Sequence, residues 1–211
     1  YLRVNRKLAN ALWPLLRADD QVWVHDYHLL PFGEALRQHG AGQSLGFFLH
    51  IPFPMTELLL TLPNHAQLVR AMFAYDLVGF QTADDLMRFE DYVLRCAGGQ
   101  VQGNRYSAFG RTLTAQAYPI GIDTRGFMRQ AASGSVRQDV ARINENLQER
   151  VQIIGVDRLD YTKGLPQRLE ALRRLLEDYP DAQGRVELLQ IAPSSRADLS
   201  DYCSIRAQLE S

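Results

Sequence analysis

A chain of 211 residues is long enough for one large domain or two small ones, and 46% hydrophobic with 22% charged residues is an ordinary globular composition. A net charge of −1 excludes the basic footprint of a nucleic-acid or anionic-membrane binder. No apolar run approaches the ~18 residues of a membrane span, no signal-peptide pattern is present, and Cys96 and Cys203 form no CxxC pair, which together predict a reducing, cytoplasmic setting with idle thiols.

The chain opens at Tyr1 inside one helical pattern and stops at Ser211 inside another, so it reads as an internal piece of a longer protein. Leu8, Leu12, Leu15 and Leu16 recur at helical spacing and predict a helix over 3–17. A strand at 21–24 runs into His25-Asp26-Tyr27-His28, and a helix at 29–38 ends at Gly40 and Gly42. The apolar run 44–49 is a second strand, stopped by His50-Ile51-Pro52-Phe53-Pro54 because neither strand nor helix continues through two prolines. A helix at 64–74, a strand at 76–80 and a helix at 83–97 capped by Thr82 or Asp84 come next. Residues 100–118 read as a hairpin or excursion, 124–135 as a glycine- and serine-containing linker, and 136–149 as a polar helix. After it come a strand at 151–156, a helix at 165–178, a strand at 185–191 and a helix at 198–210. Short apolar strands alternating with helices predict an α/β fold with parallel sheets covered on both faces. The pattern restarts after the linker, so two doubly wound units are expected, each incomplete in this chain.

The residues at the carboxyl ends of the strands are chemically suggestive. Asp26, flanked by His25 and His28, lies after the first strand, and His50 after the second. Arg158 and Lys163 lie after the strand at 151–156, and Pro193-Ser194-Ser195-Arg196 after the one at 185–191. Parallel sheets place ligands at these strand ends. Lys163 is one of only two lysines. An arginine fork and a lysine point charge across one turn suit a doubly charged anion, though two solvated surface cations would look the same. Asp26 fits a sugar-hydroxyl acceptor or a plain helix cap. His25 reads as a buried strand-end imidazole satisfied by the backbone, and His50 as either a packed imidazole or a ligand contact. Asp157 and Asp160 read as turn-formers or partners of Arg158. No third ligand accompanies His25 and His28, so no metal is expected there. Nor does any Asp-x-Asp pair occur, so a bound diphosphate would be met by side-chain cations and a helix N-terminus rather than by a metal.

The ordered motifs HDYHLLP (25–31), GFFLHIPFP (46–54), YPIGID (118–123), GVDRLDYTKGLPQR (155–168) and QIAPSSRADLSDY (190–202) resemble those of the trehalose-6-phosphate synthases, retaining glycosyltransferases of family 20. The resemblance covers essentially the whole chain. It implies a GT-B architecture, two Rossmann-like domains facing a cleft. Residues 1–126 would belong to the acceptor-side domain and 127–211 to the nucleotide-sugar domain. It implies transfer of glucose from UDP-glucose, or a related donor, to glucose 6-phosphate, without a metal or other cofactor. Arg158 and Lys163 match the residues that grip the donor diphosphate, Asp26 the acceptor-sugar carboxylate and Arg196 the arginine on the acceptor phosphate. His50 matches a histidine near the transferred glucose and Ile51 a neighbour tied to anomer selectivity. The expected partners are these two substrates, with no nucleic acid or membrane and with a homo-oligomer left open. The alternatives are a catalytically inactive regulatory subunit, another GT-B nucleotide-sugar enzyme and a sugar-binding module.

Overall fold

A computed structural model gives the architecture and describes residues 1–147 and 150–193, the side chain of Tyr161 apart. The chain divides into two compact units, Tyr1–Ile122 and Asp123–Ser211.

The first unit opens with α1 (Leu2–Leu12), which passes into a 3-10 turn at Trp13–Leu15 where Pro14 ends regular helix. β1 (Gln21–His25) leads through a 3-10 turn at Tyr27–Leu29 into α2 (Phe32–Gln38), whose start is delayed by Pro31 at the cap. β2 (Ser44–Leu49), a one-turn helix α3 (Thr56–Leu59), α4 (His65–Met72), β3 (Leu77–Phe80) and α5 (Ala83–Arg95) come after it. Residues 100–118 form more than a hairpin. β4 (Gln100–Gln102), β5 (Arg105–Ala108) and β6 (Arg111–Ala117) make an antiparallel meander, and β6 also pairs parallel with β3. The result is one mixed six-stranded sheet in the order β1-β2-β3-β6-β5-β4.

The two faces of this sheet are built differently. Val24, Leu45, Phe47, Leu49, Val78, Phe80, Leu113 and Ala115 share one face and join Phe32, Leu36, Val69, Met72, Phe89 and Val93 from the helices in a single core cluster. Each large apolar side chain buried there contributes about 1.5–3 kcal/mol. On the other face two glycines take aromatic rings from the strand beside them. Gly46 is in register with Trp23, and a Cβ on it would lie 2.4 Å from the indole. Gly79 is in register with Phe48, and a Cβ there would lie 2.6 Å from the phenyl ring. Trp23 remains half exposed, so among the described residues this face lacks the full cover that the apolar strands predict.

The second unit begins with α6 (Thr124–Ala131), where the sequence reads as a linker. Asp123 caps this helix, its Oδ1 accepting from Gly126 N at 2.9 Å. A Cβ on Gly126 would lie 2.3 Å from that carboxylate, so the glycine makes room for the cap rather than breaking the helix. α7 (Gly134–Leu147), β7 (Val151–Val156), α8 (Leu165–Asp178) and β8 (Val186–Ile191) complete the described chain. β7 and β8 pair in parallel with α8 as their connection. The predicted helix at 198–210 lies outside the described residues.

Candidate active site

In the first unit the carboxyl ends of β1 and β2 carry the candidates side by side. The register sets His25 beside Phe48, and Asp26 N donates to Phe48 O at 2.8 Å, carrying the ladder one residue further. Asp26 has φ 71° and ψ 163°. Glycine alone adopts that region freely, and any other residue pays of order 1–3 kcal/mol to stay there. The strain is held by the bond to Phe48 and by the 3-10 turn that Asp26 caps, its Oδ1 accepting from Tyr27 N at 2.9 Å. Capping is therefore part of what Asp26 does, but a cap requires no such backbone. A strained, partly exposed carboxylate at a strand end points to a ligand.

His25 differs from the sequence reading. It is exposed, and its Nδ1 lies 2.9 Å from His50 Nε2. The parallel register explains the contact. His25, Phe48 and His50 occupy one face at the very end of two adjacent strands, the face opposite the helix-packed core. Ile51 stands next to them, exposed. The loop carrying His50 and Ile51 is pinned from behind by Phe53. Its ring packs edge-on against Phe80 and Phe89, at 5.8 and 5.5 Å between centroids. Its N–H donates to the buried carboxylate of Asp85 at 3.0 Å. Asp85 also belongs to the cap of α5, donating its own N–H to Thr82 Oγ1 at 3.1 Å. Thr82 caps the helix as the sequence predicts, whereas the sequence reading of Asp84 as a second cap misses Asp85, whose N–H the Thr82 hydroxyl takes. The reciprocal Thr82–Asp85 spacing was the available signal.

In the second unit the turn after β7 is built almost wholly from its own residues. Asp160, nearly buried, accepts from Thr162 N at 2.9 Å and from the Thr162 hydroxyl at 2.8 Å, both through Oδ1. Lys163 N donates to Asp160 O at 3.0 Å, closing a 3-10 turn. Gly164 then takes the left-handed conformation, φ 63°, which ends that turn and starts α8. Leu165 is buried against Leu159 and anchors the corner. The Thr162 N–H and hydroxyl hold the Asp160 carboxyl below its ordinary range, helped by the charges of Arg158 and Lys163. Asp157 does not pair with Arg158. It takes Arg168 of α8 at 2.9 Å, and Arg168 also reaches Gln190 on β8. Gly155 leaves the room this requires, since a Cβ on it would lie 2.4 Å from Arg168 Nη1.

Both cations of the turn are thus left exposed. Arg158 has Asp160 Oδ2 at 3.8 Å, a loose pair at the surface. The turn presents two positive charges at the start of a helix whose own dipole favours an anion. Arg196, the remaining sequence candidate, lies outside the described residues. Among the described residues no three His, Cys, Asp or Glu side chains converge as metal ligands.

The family model for glycosyltransferase family 20 matches residues 1–211. The trehalose-6-phosphate synthase of Klebsiella pneumoniae is 45% identical over 211 residues, covering all of this chain and 44% of that protein. The Sinorhizobium fredii protein of the same name is 45% identical over 203 residues, 96% of this chain and 44% of its own length. Among solved structures, the Burkholderia xenovorans α,α-trehalose-phosphate synthase (UDP-forming) in complex with glucose 6-phosphate superposes with a TM-score of 0.79 at 48% identity, covering all of this chain and 48% of that one. An E. coli structure with bound UDP-2-fluoro glucose gives 0.79 at 43% identity, covering all of this chain and 47% of that one. The chain spans less than half the length of these relatives.

Proposed function

The chain belongs to glycosyltransferase family 20, and on that premise we propose that the protein carrying it transfers glucose from UDP-glucose to glucose 6-phosphate, releasing UDP and α,α-trehalose 6-phosphate. The observation that carries the reading is the turn after β7. Its carboxylates are committed, Asp157 to Arg168 and Asp160 mainly to Thr162, while Arg158 and Lys163 face solvent. Cations kept available in this way suit a diphosphate. Relatives solved with glucose 6-phosphate and with UDP-2-fluoro glucose support the choice of acceptor and donor.

The chemistry is set by where charge develops. Breaking the bond between glucose C1 and the phosphate oxygen leaves negative charge on the diphosphate. Arg158 and Lys163, already oriented by the turn, stabilise that charge more in the transition state than in the ground state. The acceptor hydroxyl attacks C1 from the face the leaving group departs, and its proton passes to the leaving phosphate. The configuration at C1 is thereby retained without a carboxylate nucleophile. Asp26 accepts a hydrogen bond from the acceptor sugar, and Arg196 binds its phosphate and fixes its orientation. His50 contacts the transferred glucose, and Ile51 shapes the pocket that selects the anomer. Two side-chain cations and a helix N-terminus serve where other transferases use a divalent metal, so a chelator is expected to leave turnover unchanged. The reading puts the enzyme in the cytoplasm, in keeping with an exposed free thiol at Cys96. No helix among the described residues is long and apolar enough to cross a membrane.

The test is an assay of the complete natural protein with both substrates, scoring UDP and a non-reducing disaccharide phosphate. The two products are expected in equal amounts. UDP release without the disaccharide, or no reaction at all, overturns the reading. Within the same assay, Arg196→Ala is expected chiefly to raise KM for glucose 6-phosphate; a change confined to the donor's KM would reject its role.

A further inference from the structure

His25 touches no substrate in the mechanism proposed for transfer, yet its ring is held as tightly as that of His50. Its Nδ1 lies 2.9 Å from His50 Nε2, with the ring centroids 5.1 Å apart. On the other side the Trp23 indole meets it edge-on at 5.7 Å. Trp23 in turn lies across Gly46, and Phe48, which leans across Gly79, packs on His50 at 4.9 Å. Two glycines thus let two aromatic rings brace a pair of imidazoles at the strand ends.

An imidazole pair joined nitrogen to nitrogen needs one ring to donate and the other to accept. If His50 accepts at Nε2, the neutral ring carries its proton on Nδ1 and offers a donor there. If His50 donates from Nε2, Nδ1 is an acceptor. In both cases the bond ties the tautomer of His50 to that of His25 and fixes its ring plane. We propose that His25 is a positioning residue for sugar transfer: through the bond between its Nδ1 and His50 Nε2 it fixes the orientation in which His50 meets the transferred glucose. This rests on the proposed contact between His50 and that glucose.

Packing and hydrogen bonding are separable at this position. Phenylalanine keeps a ring against Trp23 but offers no polar atom. Asparagine loses the ring but carries an amide atom one bond from Cγ, where Nδ1 stands in histidine. In the complete natural protein, His25→Phe is expected to lower kcat about tenfold, the weight of one hydrogen bond, with KM for glucose 6-phosphate unchanged. His25→Asn is expected to stay within about threefold of the parent, the imperfect amide geometry costing less than the whole bond. A phenylalanine variant as active as the parent, or an asparagine variant as impaired as the phenylalanine one, overturns the proposal. A second readout needs no turnover. The ¹⁵N shift of His50 Nε2 should report a protein hydrogen bond in the parent and in His25→Asn and move to that of a solvated ring nitrogen in His25→Phe. Unchanged shifts in His25→Phe overturn the proposal on their own. Failure of the parent to transfer glucose would sink the functional reading instead, and the ¹⁵N shifts would still report whether His25 fixes His50.

Discussion

The two units build their candidate sites by opposite means. In the first, Asp26, His25 and His50 meet only because β1 and β2 pair in the right register, and that register is set by the large core beneath them. In the second, the turn holding Arg158 and Lys163 closes on itself through Asp160, Thr162 and Gly164, above a cluster that among the described residues comprises Leu159 and Leu165 with Ala192 against it. A site made by long-range pairing depends on the stability of the whole sheet. A site made by a local turn depends on a few neighbouring residues, and its charges can be altered with little structural cost.

The sharpest way to exploit that contrast is Lys163→Ala. The side chain is exposed, and among the described residues it makes no hydrogen bond that shapes the turn, so turnover is expected to fall at least roughly a hundredfold with no change in melting temperature. Near-normal turnover would dismiss the diphosphate role. In the first unit the corresponding experiment separates function from backbone strain. Asp26→Gly should raise KM for glucose 6-phosphate by about ten- to hundredfold, as expected for a lost charge-assisted hydrogen bond, while raising stability by ~1 kcal/mol as the strain at φ 71° is relieved. A variant that is both less active and less stable would mean that Asp26 serves chiefly as a cap.

Next in size is Tyr75→Phe, which tests whether the first site leans on the interior. Tyr75 accepts from Gly33 N and donates to Leu29 O, both at 2.9 Å, and ties α2 to the turn after Asp26. Removing the hydroxyl strands the buried Gly33 N–H and the half-buried Leu29 carbonyl and should cost about 1–3 kcal/mol in urea unfolding. The smallest effect is expected at Asp160. Its carboxyl is held below the ordinary range in the folded chain. Its stabilisation is therefore present above the unfolded carboxylate pKa and is lost as pH falls through the lowered folded value. Melting temperature followed from about pH 5 down to about pH 2 should decline less steeply in Asp160→Asn than in the parent. Identical acid limbs would show that Asp160 does not carry the turn.

Much of the scaffold could be read before any coordinates. β2, β7 and α8 run over the same residues as the sequence suggests, because each is an apolar run or amphipathic stretch closed by unambiguous punctuation. Harder were the features whose meaning depends on a partner far along the chain. Gly126 looks like a breaker until Asp123 is seen folding over it. The reason for Gly46 and Gly79 appears only when the rings of Trp23 and Phe48 are placed above them. His25 looks buried because its strand is apolar, and only the register reveals that the last residue of the strand meets His50. Arg158 and Lys163 stood out because the chain is poor in lysine and their turn is local, so sequence neighbours were spatial neighbours. That Asp157 would pair with Arg168 rather than Arg158 required the position of α8 over the sheet.

The glycine–ring pairs have a consequence for how this sequence can drift. A side chain at position 46 and an indole at position 23 compete for one space, as do a side chain at 79 and a phenyl at 48. The glycine cannot gain a side chain without displacing the ring, so the members of each pair are coupled in that direction. Across related sequences, loss of either glycine should be accompanied by loss of the ring on the adjacent strand. An alignment deep enough to resolve covariation would then show these positions as two linked pairs, with the histidines they brace changing in the same lineages.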